Sequence, residues 1–349
     1  MKNFYKGKNI LITGHTGFKG SWLSQILINW KANVSGFSLE PPTEPNLFTL
    51  LELESKMNSN IGDIRDLNKL KQTFDEIQPE IVIHMAAQPL VRESYENPHY
   101  TYETNVMGTV NICECVRSSN CVKSFLNVTT DKVYENKEKQ EGYSEDEKLD
   151  GFDPYSNSKS CSEIITHSYN NSFFKNMNIP TSTARAGNVI GGGDFSKDRI
   201  IPDCIKAALN HWDIIIRNPY STRPYQHVLE PLNVYLTIIK EQYENMNYSG
   251  YYNVGPDDED CITTGDLASL FCKNWGNDLK WIYQGEANAP HESTFLKLDS
   301  SKIKKTFNWK PKWRIADAIE KTVEWTKVYS ENGNIIECTN NQIDEFFKI

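Results

Sequence analysis

Apolar residues in this chain fall into short blocks separated by helix-length stretches. Residues 8–13 (KNILIT) form a strand-sized apolar run, and residues 21–30, with Trp22, Leu23, Ile26 and Leu27 at helical spacing, predict a helix soon after it. Further strand-sized runs lie at 34–39, 81–84, 124–128 and 181–184. Their spacing suits βαβ units and predicts an α/β fold, a Rossmann-type doubly wound parallel sheet. Beyond Asn188 the pattern changes to mixed short elements, with a Gly191-Gly192-Gly193-Asp194 turn, an Arg/Pro-rich stretch at 217–224 and a Trp-rich C-terminal region. The expected division is a sheet domain over 1–187 and a smaller C-terminal α/β lobe over 188–349 that covers the substrate, with chain segments free to cross between them. The Pro41, Pro42 and Pro45 cluster predicts a surface loop.

At 349 residues with 38% hydrophobic side chains, the chain can bury a substantial core, so disorder is excluded as the default. No run approaches the roughly 20 apolar residues of a membrane span. The eight cysteines form no Cys-x-x-Cys pair and have no histidines at metal spacing. Neither a metal site nor a disulfide framework is expected, and a reducing cytoplasm is. A net charge of −9 argues against nucleic acid as a partner. Local arginines can still hold an anionic ligand.

The segment Thr13-Gly14-His15-Thr16-Gly17-Phe18-Lys19-Gly20 joins the first strand to the first helix. That context suits a dinucleotide fingerprint, in which glycines allow a tight turn and close approach of a pyrophosphate to a helix N-terminus. A plain glycine-rich turn is the bland alternative. Asp63, in the stretch Gly62-Asp63-Ile64-Arg65-Asp66, is placed to accept from an adenine amino group, while Asp66 suits a helix N-cap. The carboxylate that binds the ribose of NAD is expected near Ser38, where a serine stands with Glu40 two positions on. NAD is favoured and NADP left open.

Tyr155 and Lys159, four apart after Asp153 and Pro154, share one helix face behind an N-cap and a first-turn proline. A nearby ammonium favours the phenolate, making Tyr155 a candidate acid/base near neutral pH. A chain with 17 tyrosines and this many lysines holds about one such pair by chance, so its weight comes from its place after the strand ending at Val128.

Five separated motifs then resemble the extended short-chain dehydrogenase/reductase family, and within it the 4,6-dehydratases of the CDP-glucose type: TGHTGFKGSW at 13–22, HMAAQPLVR at 84–92, NVMGT at 105–109, RAGNVIGGGD at 185–194 and RNPYSTRPYQHVLEP at 217–231. The similarity runs from about Lys8 to Trp325. It implies an NAD-dependent enzyme acting on a nucleotide sugar, assembled as a homodimer or homotetramer. By matching motif it places Gly14, Thr16, Gly17, Phe18 and Gly20 along the pyrophosphate, and Asp63 and Ile64 at the adenine. Ala86, Ala87 and Gln88 fall near the nicotinamide ribose, which Tyr155 and Lys159 also hold. Gln88, Asn188, Arg199, Arg217 and Arg223 meet the sugar nucleotide, and guanidinium groups suit phosphate. Thr130, Asp131 and Lys132 join Tyr155 and Lys159 as catalytic residues. The Asp131-Lys132 pair resembles the CDP-type pattern where the dTDP-type enzymes have Asp-Glu and simple 4-epimerases lack such a pair. Val133 stands where cysteine is common, and His291-Glu292 stands where many relatives carry an arginine.

The implied activity is loss of water from CDP-glucose by internal hydride transfer. Another nucleotide-sugar 4,6-dehydratase or a 4-epimerase on the same scaffold remains open, as does, more remotely, a non-catalytic dinucleotide-binding regulator. Within the implied activity Asp131 is assigned as the acid that protonates the departing 6-hydroxyl and Lys132 as the group that handles the C5 proton. A lysine acts as a base only if its pKa falls through burial or a neighbouring cation.

Overall fold

A computed structural model describes residues 1–276, 278–285 and 295–348. Six strands enter a parallel sheet in the first part of the chain: β1 (Asn9–Thr13), β2 (Asn33–Ser38), β3 (Asn58–Ile61), β4 (Ile81–His84), β5 (Ser124–Thr130) and β6 (Thr181–Ala186). A seventh, Tyr251–Val254, joins the free edge of β6. The order is β3-β2-β1-β4-β5-β6 followed by Tyr251–Val254, every pairing parallel. The direction of winding reverses between β1 and β4, the position at which open α/β sheets bind ligands beyond the carboxyl ends of their strands.

Side chains on a strand alternate between the faces, and here both faces are buried. Ile10, Ile12, Ile81, Ile83, Leu126 and Val128 pack on one side against Trp22, Leu23, Ile26 and Leu27 of the helix Phe18–Asn29 and against Leu229–Glu244. Leu11, Val82 and Phe125 face the other side, against Leu70 and Phe74 of Leu67–Ile77 and Ile112 and Val116 of Gly108–Ser118. A separate cluster formed by Ile201, Ile205, Ile214, Leu267, Phe271 and Ile319, among others, is the core of the smaller lobe.

The helix after β1 begins at Phe18, three residues before the expected start, because Gly17 is its N-cap in extended conformation and Phe18-Lys19-Gly20 is its first turn. The chain after residue 188 does not stay in the smaller lobe. The strand Tyr251–Val254 and the helix Leu229–Glu244 return to the sheet. Of the C-terminal tryptophans, Trp309 and Trp325 also pack into the core of the main sheet. The 191–194 turn is clamped by two other tryptophan contacts: Trp22 Nε1 donates to the Gly192 carbonyl at 3.0 Å, and a Cβ on Gly192 would lie 2.1 Å from the Trp325 ring.

Gly20 fixes the seat of the helix Phe18–Asn29 on its loop, since a Cβ there would lie 2.1 Å from the Gly14 carbonyl oxygen. Neither group can move without breaking the turn. Gly20→Ala is expected to lower stability by about 1–3 kcal/mol and to weaken dinucleotide binding, read as a lower urea midpoint at unchanged slope. An unchanged midpoint would contradict this packing. No helix of the described residues is long and apolar enough to cross a membrane.

Candidate active site

β1 ends in Thr13, whose hydroxyl lies 2.7 Å from His84 Nδ1 and accepts from the Met85 and Ala86 amides at 3.1 and 3.2 Å. This ties the glycine loop to the segment after β4. Gly14 follows at φ +79°, and a Cβ on it would lie 2.9 Å from the Ala86 nitrogen, so only glycine fits. The first turn of Phe18–Asn29 has no side-chain cap, which leaves its amides aimed outward beside Gly17, the usual seat for a pyrophosphate. A Cβ on Gly17 would meet nothing closer than 3.5 Å. The cradle therefore fits a dinucleotide. Thr16 does not turn its hydroxyl toward it. That group donates to the Leu39 carbonyl at 2.9 Å and pairs with Ser38 Oγ at 2.8 Å, pinning the loop to the end of β2.

Arg65 grips the Asp63 carboxylate through backbone and guanidinium at 2.7–3.1 Å and lowers its pKa. Little acceptor capacity is left for an adenine. Ile64 is buried, and Gly108 makes room for it. Ala86 and Ala87 are half-buried, beside the glycine loop. Gln88 departs from the expected role: its carboxamide donates to Thr101 Oγ1 and to the Leu90 carbonyl and accepts from the Leu90 amide. With 6% exposure and these partners, the side chain holds its own loop.

The catalytic candidates converge where β5 ends. Asp153 caps Pro154–Tyr169 by accepting from the Ser156 amide at 2.9 Å, and Pro154 opens the helix. Tyr155 in its first turn meets the Thr130 hydroxyl, which also donates to Asp131 Oδ1 at 3.0 Å. Lys159 lies one turn on, buried, with Nζ 3.3 Å from the Val128 carbonyl. Burial pushes the Tyr155 phenol up to about 12 despite the Thr130 contact, and burial together with Lys19 pulls Lys159 down to about 8. Lys159 is not among the groups that shift Tyr155, and the expected depression gives way to desolvation, opposed by the Thr130 hydrogen bond and Arg199. Asp131 is 1% exposed, and its Oδ2 is buried without a hydrogen-bond partner. Burial raises its pKa, against the pull of Lys132 and Arg223.

Thr130, Asp131, Lys132 and Tyr155 line a cavity of about 830 Å³ shared with Asn188, Arg199, Arg217 and Arg223. Arg199 pairs with buried Asp194 at 3.1 Å and Arg217 with Asp198 at 3.1 Å, while Arg223 Nη1 donates to the Thr222 carbonyl at 3.0 Å. His291 and Glu292 lie outside the described residues. Among the described residues no group of three or more His, Cys, Asp or Glu side chains could hold a metal.

Sequence reasoning passed over three residues of the site. Glu163, one turn beyond Lys159, pairs with Arg185 at 3.0 Å and accepts from Thr129 and Thr183, bracing the helix on β5 and β6. Its i+4 position after Lys159 was a usable signal. Asp194 orients Arg199. Lys19 lines the cavity from the glycine loop itself.

Comparison with known proteins matches residues 11–322 to the family described as GDP-mannose 4,6 dehydratase. The chain is 46% identical over 351 aligned residues to a CDP-glucose 4,6-dehydratase of Salmonella typhimurium, covering 99% of this chain and 98% of that one. It is 26% identical to a dTDP-glucose 4,6-dehydratase of Shigella flexneri, over 94% of each. Among solved structures, a UDP-glucose 4-epimerase of Thermotoga maritima superposes with a TM-score of 0.80 at 22% identity, covering 92% of this chain and 99% of that one. A dTDP-glucose 4,6-dehydratase of Bacillus anthracis in complex with NAD superposes with 0.76 at 21%, covering 95% and 100%. At these identities the two structures speak for the fold.

Proposed function

The chain belongs to the GDP-mannose 4,6 dehydratase family, and from that membership we propose that it is a lyase converting CDP-glucose to CDP-4-keto-6-deoxyglucose and water. Its 46% identity along nearly the whole length of a CDP-glucose 4,6-dehydratase supports the nucleotide and the reaction. The observation in the fold that carries the reading is the convergence of Tyr155, Thr130, Asp131 and Lys132 on one arginine-rimmed cavity at the carboxyl end of β5.

Bound at the glycine loop, NAD would supply the hydride acceptor for C4 and the donor for C6, so that it is regenerated and the net change is loss of water. Tyr155 takes the proton of the 4-hydroxyl while Thr130 hydrogen-bonds O4. Lys159 steadies the phenolate from beneath. The 4-ketone so formed acidifies the C5 proton, which Lys132 removes while Asp131 protonates the departing 6-hydroxyl. When C6 is reduced, Lys132 returns the proton to C5, and the proton taken up by Tyr155 balances the one Asp131 gave. Arg199, Arg217, Arg223 and Asn188 hold the nucleotide diphosphate. Ser38 and Glu40 at the end of β2 favour NAD, because a 2′-phosphate there would meet a carboxylate and no guanidinium of the motif. A homodimer or homotetramer is the assembly this reading expects.

Incubation with NAD⁺ and a panel of nucleotide glucoses tests the proposal. CDP-glucose should yield a product lighter by one water, without net cofactor consumption. A 4-epimer as the sole product, preference for another nucleotide, or steady accumulation of NADH would each contradict it.

A further inference from the structure

A lysine in the first turn of a helix stands against the helix dipole, whose N-terminal end is already partly positive. Lys19 occupies that position in Phe18–Asn29, with no acidic residue in the turn to offset it. Its half-buried side chain runs into the cavity lined by Thr130, Asp131 and Tyr155. Among the described residues its ammonium makes no hydrogen bond or ion pair. Four charged groups act on it: Arg199 and Lys159 repel it, Asp131 and Asp194 attract it. Asp194 is already engaged with Arg199 at 3.1 Å, and Asp131 takes its hydrogen bond from Thr130. Burial pulls Lys19 down to about 8, so near neutral pH most of it keeps its charge in a poorly solvated place. An uncommitted cation opposed by its own helix is a local inconsistency of the kind found at functional sites.

We infer that Lys19 biases the bound dinucleotide toward its reduced form, acting as a fixed positive charge shared by the glycine loop and the sugar cavity. The inference rests on the dinucleotide reading of the site. The oxidised nicotinamide ring carries a positive charge and the reduced ring none, so a cation at the Tyr155–Lys159 end of the cleft disfavours only the oxidised form. Contacts of Lys19 to the diphosphate are common to both forms and cancel in their ratio. The bias favours withdrawal of hydride from C4, an unactivated secondary alcohol carbon.

Dissociation constants of NAD⁺ and NADH, measured on wild type, Lys19→Met and Lys19→Arg, test it. Unit charges about 10 Å apart at an effective dielectric of about 20 shift an equilibrium by roughly tenfold or more. Lys19→Met should therefore lower the ratio Kd(NAD⁺)/Kd(NADH) by about tenfold, and Lys19→Arg should keep it near the wild-type value. Equal weakening of both forms, with the ratio unmoved, would overturn the inference and leave the dinucleotide site standing. If wild type binds neither form, the cofactor reading falls as well. Should the methionine variant fail to fold, Lys19→Gln removes the charge with a polar group of similar reach, and the same ratio decides.

Discussion

Tyr155→Phe is expected to lower turnover by about a thousandfold while dinucleotide affinity stays close to wild type. Loss of a positioned acid/base group costs about 10²–10⁴ in rate, equivalent to about 3–5 kcal/mol of barrier. The phenol sits in the first turn of a helix capped by Asp153, with the Thr130 hydroxyl against it. Phenylalanine keeps the ring and its packing and deletes only the group that takes the proton of the 4-hydroxyl. Burial holds Tyr155 at about 12, so the phenol is a proton acceptor only with help from its surroundings, of which the Thr130 hydroxyl and Arg199 are part. Lys159 is proposed to share in that help once the cofactor is bound. Lys159→Ala should accordingly weaken both turnover and dinucleotide binding. Single-turnover kinetics and cofactor titration separate the two effects. Retention of more than about a tenth of wild-type turnover in Tyr155→Phe, a barrier change of only about 1.4 kcal/mol, would show that another group is the base.

Asp131→Asn is expected to leave C4 oxidation in place and to slow loss of water by about a hundredfold or more. In a single turnover, NADH should build up on the enzyme. Asparagine preserves an Oδ1 acceptor for Thr130, so the turn after β5 is kept. What it lacks is a transferable proton, which the buried carboxyl, its pKa raised by desolvation, is suited to hold. Lys132→Met should likewise stop at the 4-keto hexose, with C5 failing to exchange in deuterated solvent. Normal water loss in both variants would place the elimination chemistry elsewhere and make the Asp131-Lys132 pair a mark of ancestry alone.

The parts of the fold that depend on local spacing were legible before any coordinates. The apolar blocks at 81–84 and 124–128 and the glycines between β1 and its helix carry their meaning within a few residues. The strand Tyr251–Val254 was not legible, because only the open edge of β6, some 65 residues earlier, gives Tyr-Tyr-Asn-Val a partner. Gln88 shows the limit of motif reasoning from the other side. The position matched a ligand-binding segment, yet Thr101 and Leu90 satisfy its carboxamide within the loop. For Tyr155 the sequence displayed the lysine four residues on and hid the burial that dominates its titration. Lys19 was hidden in the glycine motif itself, where a residue between two glycines reads as a spacer until its side chain is seen in the cavity.

The central claim is an internal hydride transfer from C4 to C6 within one active site. It is tested most directly with CDP-glucose deuterated at C4, turned over in ordinary water beside unlabelled substrate. The account predicts deuterium in the C6 methyl group of the 4-keto product, with no label crossing to product formed from unlabelled substrate. Deuterium released to solvent, or retained at C4 of an epimer, would contradict it.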